Sequence, residues 1–475
     1  MSIKLALLLS LSLWQVSFAA SHMLVIGGGG EPNKPNTIFD NELQNATNFI
    51  KRSNWQSRIS FNGGHRQTEA IAQSFAAKSG GQNSSFTSEN YEALISEYER
   101  KIKSGQIKSG DQLLLMISSH GSVNTRNQKT HYISTSTKDK SGLTNYSTLA
   151  GSATVSLDRL ESLTKLAADK GIKLGILDFS CHSGVTQKLA NKNTCVISST
   201  GPNHFAWGGN QLTFAAKFTQ NMRSGKSLED VFLEAVKDKS ETSFPMISSN
   251  HGNEIQNAMY PLISPYLHDT RSDITTAKMK LFYNEKYSED RCENLNSDYQ
   301  ELISFTHDIE NITSNTNYSK LRTLLSEYNG LQQGIIQSVK VMNSKHNLAK
   351  EENFCATSHG LKTCMIYSLG EILNIEVDQM MSLINRQMRS AKGSEQKSLA
   401  SRLSIYQKIK TRKAQLLSDS SLRSAKSFWD QGSYLKKTQQ LANDIAQESQ
   451  MAYYQTYNTL RKEEGSKGPC AEIKF

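Results

Sequence analysis

Apolar residues follow two patterns along this 475-residue chain. From about residue 22 to 265 they come in short runs: Met23–Ile26, Arg58–Phe61, Gln112–Ser118, Lys173–Phe179 and Thr194–Ser199. Runs of this length, bounded by polar turns, predict strands buried on both faces. The stretches between them predict helices at Arg66–Ser79, Tyr91–Ser104, Ser156–Lys170, Val185–Asn191, Gln211–Arg223 and Ser227–Lys239. Strands alternating with helices imply an α/β class, with a parallel sheet covered by helices. In such sheets the functional site lies at the carboxyl ends of the strands.

After about residue 280 the period changes. Leu399, Leu403, Tyr406, Ile409, Leu416 and Leu417 recur at helical spacing. Six of the seven prolines lie between Pro32 and Pro265 and the seventh is Pro469, so positions 266–468 hold none. Proline inside a helix costs about 3 kcal/mol, and a long proline-free stretch suits an all-α domain. No fixed-period repeat points to a solenoid.

The first 20 residues follow a third pattern. Lys4 precedes an apolar run from Leu5 to Leu13, and small residues follow. That is the order of a secretory signal peptide, with Ser17 and Ala19 at the −3 and −1 positions of a cut after Ala19. The expected organisation is therefore a signal peptide at 1–19, an α/β domain at 20–268, a linker at 269–290 and a helical domain at 291–475. The mature chain is expected outside the cytoplasm, in a periplasm or the extracellular space. No later segment approaches the length of a membrane span, and the mean hydropathy of −0.51 excludes a polytopic membrane protein.

Charge adds one local feature. The formal net charge is +10. Between Arg386 and Lys426 stand 11 basic and two acidic side chains. This segment is a solvated helix face, or a surface for an anionic partner or for another part of the chain. Aromatic residues for base stacking are few there, so no nucleic-acid partner is expected. Six cysteines are too few for a disulfide framework. In an exported chain Cys292, Cys355, Cys364 and Cys470 can form two bridges in three pairings, with the short Cys355–Cys364 loop favoured. Cys181 and Cys195 would then stay unbridged.

The chemistry concentrates at two strand ends. The third strand runs into His120-Gly121, and the fourth into Cys181-His182-Ser183-Gly184. A thiol becomes a strong nucleophile when a base takes its proton, and an imidazole can later protonate a leaving amine. Two neighbouring strand tips would hold such a pair rigidly. Other motifs are missing: Gln187 stands where a Cys-x5-Arg loop needs arginine, and there is no G-x-S-x-G, HExxH or CxxC. Gly27–Gly30 lacks a P-loop continuation and reads as a tight turn.

This pattern resembles the caspase-like cysteine peptidases of clan CD, and the cysteine loop is closest to metacaspases and legumain-like enzymes. The resemblance covers roughly residues 22–265. It implies a caspase-like fold and endopeptidase activity on peptide or protein substrates without metal or cofactor. It makes His120 the catalytic histidine and Cys181 the nucleophile, with the Gly121 and Cys181 amides as oxyanion hole. Asp178, Phe179, Ser198, Ser199 and Trp207 would line the substrate pocket, and Asn33 or Asn36 would orient the histidine. Some legumain-like proteins join peptides on the same site, and an inactive binding protein is the other alternative. By the same resemblance, the helical domain would control the site as a prodomain. Two features depart from the pattern. His120 and Cys181 are 61 residues apart, against about 50 in caspases, with Thr125–Ser152 read as an insertion. Phe179 stands where an acid or amide is usual.

Overall fold

The computed structural model describes residues 19–28, 37–61, 66–124, 129–138, 144–145, 154–237, 244–264, 320–321, 323–328, 330–331, 346–347, 350–424 and 433–475. The leader to residue 18, Asn33, Asn36, the expected linker and Cys292 lie outside them. The chain divides into two compact units. One comprises Met1–Pro261 and Ser449–Phe475, the other Leu262–Glu448.

The first unit is built on a six-stranded sheet. Its strands are β1 (Ser21–Gly27), β2 (Gln56–Phe61), β3 (Gln112–Ser118), β7 (Lys173–Asp178), β8 (Thr194–Ser198) and β9 (Met246–Ile247). The order across the sheet is β9-β8-β7-β3-β1-β2, parallel except for β9. The α/β class and the five expected strands are present. Their central residues Met23–Ile26, Leu113–Ile117 and Leu174–Leu177 are buried, which explains their unbroken apolar runs.

The flanking helices are α1 (Asp40–Arg52), α2 (Arg66–Ala77), α3 (Ser88–Lys103), α4 (Leu160–Asp169), α5 (Phe214–Gln220), α6 (Leu228–Lys237) and α7 (Asn250–Ile263). The sequence pattern did not signal α1, yet it buries Leu43, Ala46, Phe49 and Ile50 at helical spacing and has acids in its first turn and bases in its last. The expected helix at Val185–Asn191 is a 3-10 turn, Ser183–Leu189. A smaller antiparallel sheet, also unexpected, joins β4 (Gly121–Val123), β5 (His131–Ser134) and β6 (Thr154–Ser156).

Residues 449–475 complete this unit. They comprise the end of α11 (Ser433–Glu464) and the short turn α12 (Pro469–Glu472). Arg461 pairs with Asp230, and Tyr457 donates to Glu229 of α6. Ile473 is buried, and Phe475 packs against Phe49, Trp55 and Phe218. A disulfide joins Cys470 to Cys195 on β8. This corrects the expectation that Cys195 stays unbridged and that Cys470 pairs within the C-terminal set. Cys195 and Cys470 are 275 residues apart, and only the return of the chain to β8 brings them together.

The second unit is helical around α8 (Leu369–Asn374), α9 (Val377–Met388) and α10 (Gly393–Leu416), which pack on Ile384, Ile405, Tyr406 and Ile409. It also holds an antiparallel hairpin of β10 (Glu351–Ser358) and β11 (Leu361–Ser368), clipped by the expected Cys355–Cys364 disulfide. Many cations of the basic segment are engaged inside the unit. Arg412 pairs with Glu352 and Lys410 with Asp378, Lys408 and Lys413 bond the carbonyls of Cys355 and Ile375, and Arg423 bonds those of Leu417 and Ser418. No described helix is long and apolar enough to cross a membrane.

Candidate active site

β3 and β7 are neighbours in parallel register, with Ile117 beside Asp178, so their carboxyl ends open on the same edge. His120 follows β3 and Cys181 follows β7. Both side chains are partly exposed. The close approach of the two tips is fixed by Gly121. A Cβ on this residue would overlap the Cys181 carbonyl oxygen and come 2.9 Å from His131 Nε2. Gly27, at the adjacent tip of β1 with φ +134°, likewise leaves no room, here against the Ser118 carbonyl.

Among the described residues Cys181 is the one cysteine that forms no disulfide. Its Sγ lies 3.7 Å from the carbonyl of Ala206. His182 adopts a left-handed backbone, φ +61°, which is uncommon for a side-chain-bearing residue. Its N–H donates to the His204 carbonyl at 2.7 Å, and its Nδ1 lies 3.0 Å from the Pro202 carbonyl. Those contacts tie the cysteine turn to the 201–206 loop. The His120 ring meets Phe39, at the start of α1, edge-on at 5.3 Å.

The residues expected in the substrate pocket separate into two groups. Asp178 is fully buried: Oδ1 accepts from the Ser180 amide and hydroxyl at 3.1 and 2.6 Å, and Oδ2 from Thr186 at 2.6 Å. Phe179 is 3% exposed and packs on Phe214 and Phe218. Ser198 is buried and accepts from Gln187, and the Ser199 amide donates to the Asp178 carbonyl. These four side chains belong to the support of the turn. As a correction to the sequence reading, they present no surface to a substrate. Trp207 differs: it is 45% exposed, on the loop whose Ala206 carbonyl faces the thiol, with Phe205 at 39%.

Two buried groups near the site escaped the sequence reading. His131, inside the stretch read as an insertion, contacts the Cys181 carbonyl through Nε2 at 3.0 Å. Only a short apolar beat at Ile133 marked its strand. Glu42 of α1 is 2% exposed and accepts from Ser118 through Oε1 at 3.3 Å, while Oε2 has no hydrogen-bond partner among the described residues. Burial pushes its carboxyl up to about 7. Among the described residues no cluster of three or more His, Cys, Asp or Glu is arranged to hold a metal ion.

No protein-family model matches the chain. No curated protein matches it either. Among solved structures, 44 chains match. One is caspase-1 from Spodoptera frugiperda, 12% identical, with a TM-score of 0.30 over 48% of this chain and 85% of that one.

Proposed function

We propose that the chain is a caspase-like cysteine endopeptidase acting outside the cytoplasm. The observation that carries the reading is the meeting of the two tips, where Gly121 has no room for a side chain against the Cys181 carbonyl. The partly exposed Cys181, which forms no disulfide, and the imidazole of His120 then share one edge of the sheet. In this reading His120 takes the thiol proton, and Cys181 attacks the scissile carbonyl carbon. The amides of Gly121 and Cys181 hold the oxyanion. Collapse of the tetrahedral intermediate breaks the C–N bond, and the proton on His120 passes to the leaving amine. Water, deprotonated by His120, then hydrolyses the thioester and restores the thiol. In this reading the exposed Trp207 and Phe205, which flank Ala206 on the loop whose carbonyl faces the thiol, meet the substrate and favour an apolar or aromatic side chain near the cut bond.

The two disulfides are compatible with an oxidising compartment and with the leader read from the sequence. In the same proposal the 262–448 unit restrains the enzyme until it is cut. Equal turnover of one peptide by the cut and uncut chains would remove that part. The main reading is tested with a peptide library on the wild type and on Cys181→Ala. Cleavage products that vanish in the variant support it, and cleavage that persists refutes it.

A further inference from the structure

His131 lies between the two candidate catalytic loops and makes contact with both. Its ring is 1% exposed. On one side β5 pairs with β4, placing Val123 beside His131 and Gly121 beside Ile133, and the Ser134 amide donates to the His120 carbonyl at 2.9 Å. On the other side Nε2 lies 3.0 Å from the Cys181 carbonyl and 3.2 Å from Ser180 Oγ. A main-chain carbonyl can only accept, so Nε2 carries a proton and donates it. Behind the ring, Nδ1 lies 3.0 Å from Thr186 Oγ1 and 3.2 Å from Asp178 Oδ2. Asp178 in turn accepts from both Ser180 and Thr186.

The peptide unit joining Cys181 to His182 is therefore held at both ends. His131 takes its carbonyl, and the His204 carbonyl takes its N–H. That plane follows Cys181 directly and leads into the left-handed His182. A flip of the plane would relieve this backbone and re-aim the cysteine. We propose that His131 is a positioning residue, fixing the Cys181 turn to the strand pair that carries His120. This inference rests on the Cys181–His120 reading above. Asp178 and Thr186 in turn orient the imidazole from behind, as supporting residues hold a positioning group in place.

Three variants test it: His131→Gln keeps a donor near the Nε2 position, His131→Leu fills the space without one, and Thr186→Val removes one support of the ring. With peptide substrate, His131→Leu is expected to lower kcat by about 10- to 100-fold at unchanged KM. His131→Gln is expected to restore most of the loss, and Thr186→Val to fall between Leu and wild type. Equal kcat for the Leu and Gln variants, or a change confined to KM, overturns the proposal. If His131→Leu does not fold, Thr186→Val decides: a several-fold lower kcat supports the proposal, and wild-type kcat overturns it. Iodoacetamide alkylation of Cys181, followed by mass spectrometry, separates failure of the inference from failure of the peptidase reading. If no cleavage depends on Cys181, that reading fails. Alkylation rates that differ between the Leu and Gln variants still support the positioning role, and equal rates overturn it.

Discussion

Ending the chain at residue 268, just past α7, should prevent the sheet unit from folding, because the unit includes Ser449–Phe475. The truncation removes four large side chains from its interior: Tyr453, Tyr457, Ile473 and Phe475, none more than 7% exposed. Burial of a large apolar side chain contributes roughly 1.5–3 kcal/mol, so the four together contribute about 6–12 kcal/mol. A whole domain has about 5–15 kcal/mol of net stability. The cut also leaves Glu229, 1% exposed, without the Tyr457 hydroxyl that donates to it. Loss of the Cys195–Cys470 bridge adds about 5–6 kcal/mol in the chain-entropy limit for a separation of 275 residues. The assay is thermal melting of chain 20–268 beside full-length protein cut once at a protease site inserted at 275. The truncated chain should aggregate or melt without cooperativity. The cut protein should keep the melt of the uncut one. It should run as one band on a non-reducing denaturing gel and as two after reduction. A cooperative melt of 20–268 within about 5 °C of the full-length transition would refute the argument.

Two further predictions concern groups beside the site. Glu42 has a folded value raised from 4.5 to about 7 by burial, so the folded protein keeps a proton that the unfolded chain releases. Its contribution is fully present below pH 4.5 and is lost as pH rises through 7, by about 3 kcal/mol at most. Urea titrations at pH 5 and pH 8 should show a larger fall for wild type than for Glu42→Gln, and parallel falls would contradict this. Gly121→Ala should push the Cys181 carbonyl away. The expected result is an about 100-fold lower kcat with a stability loss of about 1–3 kcal/mol; unchanged kcat would show that the tips do not need this approach.

The strands were legible in the sequence because Leu113–Ile117 and Leu174–Leu177 lie in the core and leave unbroken apolar runs. The polar residues at the tips stood out against those runs, which is what marks His120 and Cys181 as candidates. Asp178 and Phe179 were expected in the pocket because the end of a strand can turn inward or outward; Ser180 and Thr186 hold Asp178 inward, and Phe214 and Phe218 bury Phe179. His131 carries no local mark: its meaning comes from Cys181, 50 positions later. The return of residues 449–475 was hidden for a related reason. α11 runs without interruption from Ser433 to Glu464, so nothing in its pattern shows where the chain rejoins the sheet unit.

The central claim is that Cys181 is a nucleophile served by His120. It is tested most directly by incubating the protein at neutral pH with a peptide acyloxymethyl ketone carrying an apolar side chain, a reagent that alkylates active-site thiols. The intact mass is then read for wild type, Cys181→Ala and His120→Ala. The account predicts one stoichiometric adduct, mapped to Cys181, that is absent in Cys181→Ala and forms at least about 100-fold more slowly in His120→Ala. Labelling at the same rate without His120, or no labelling of Cys181 in the wild type, would contradict it.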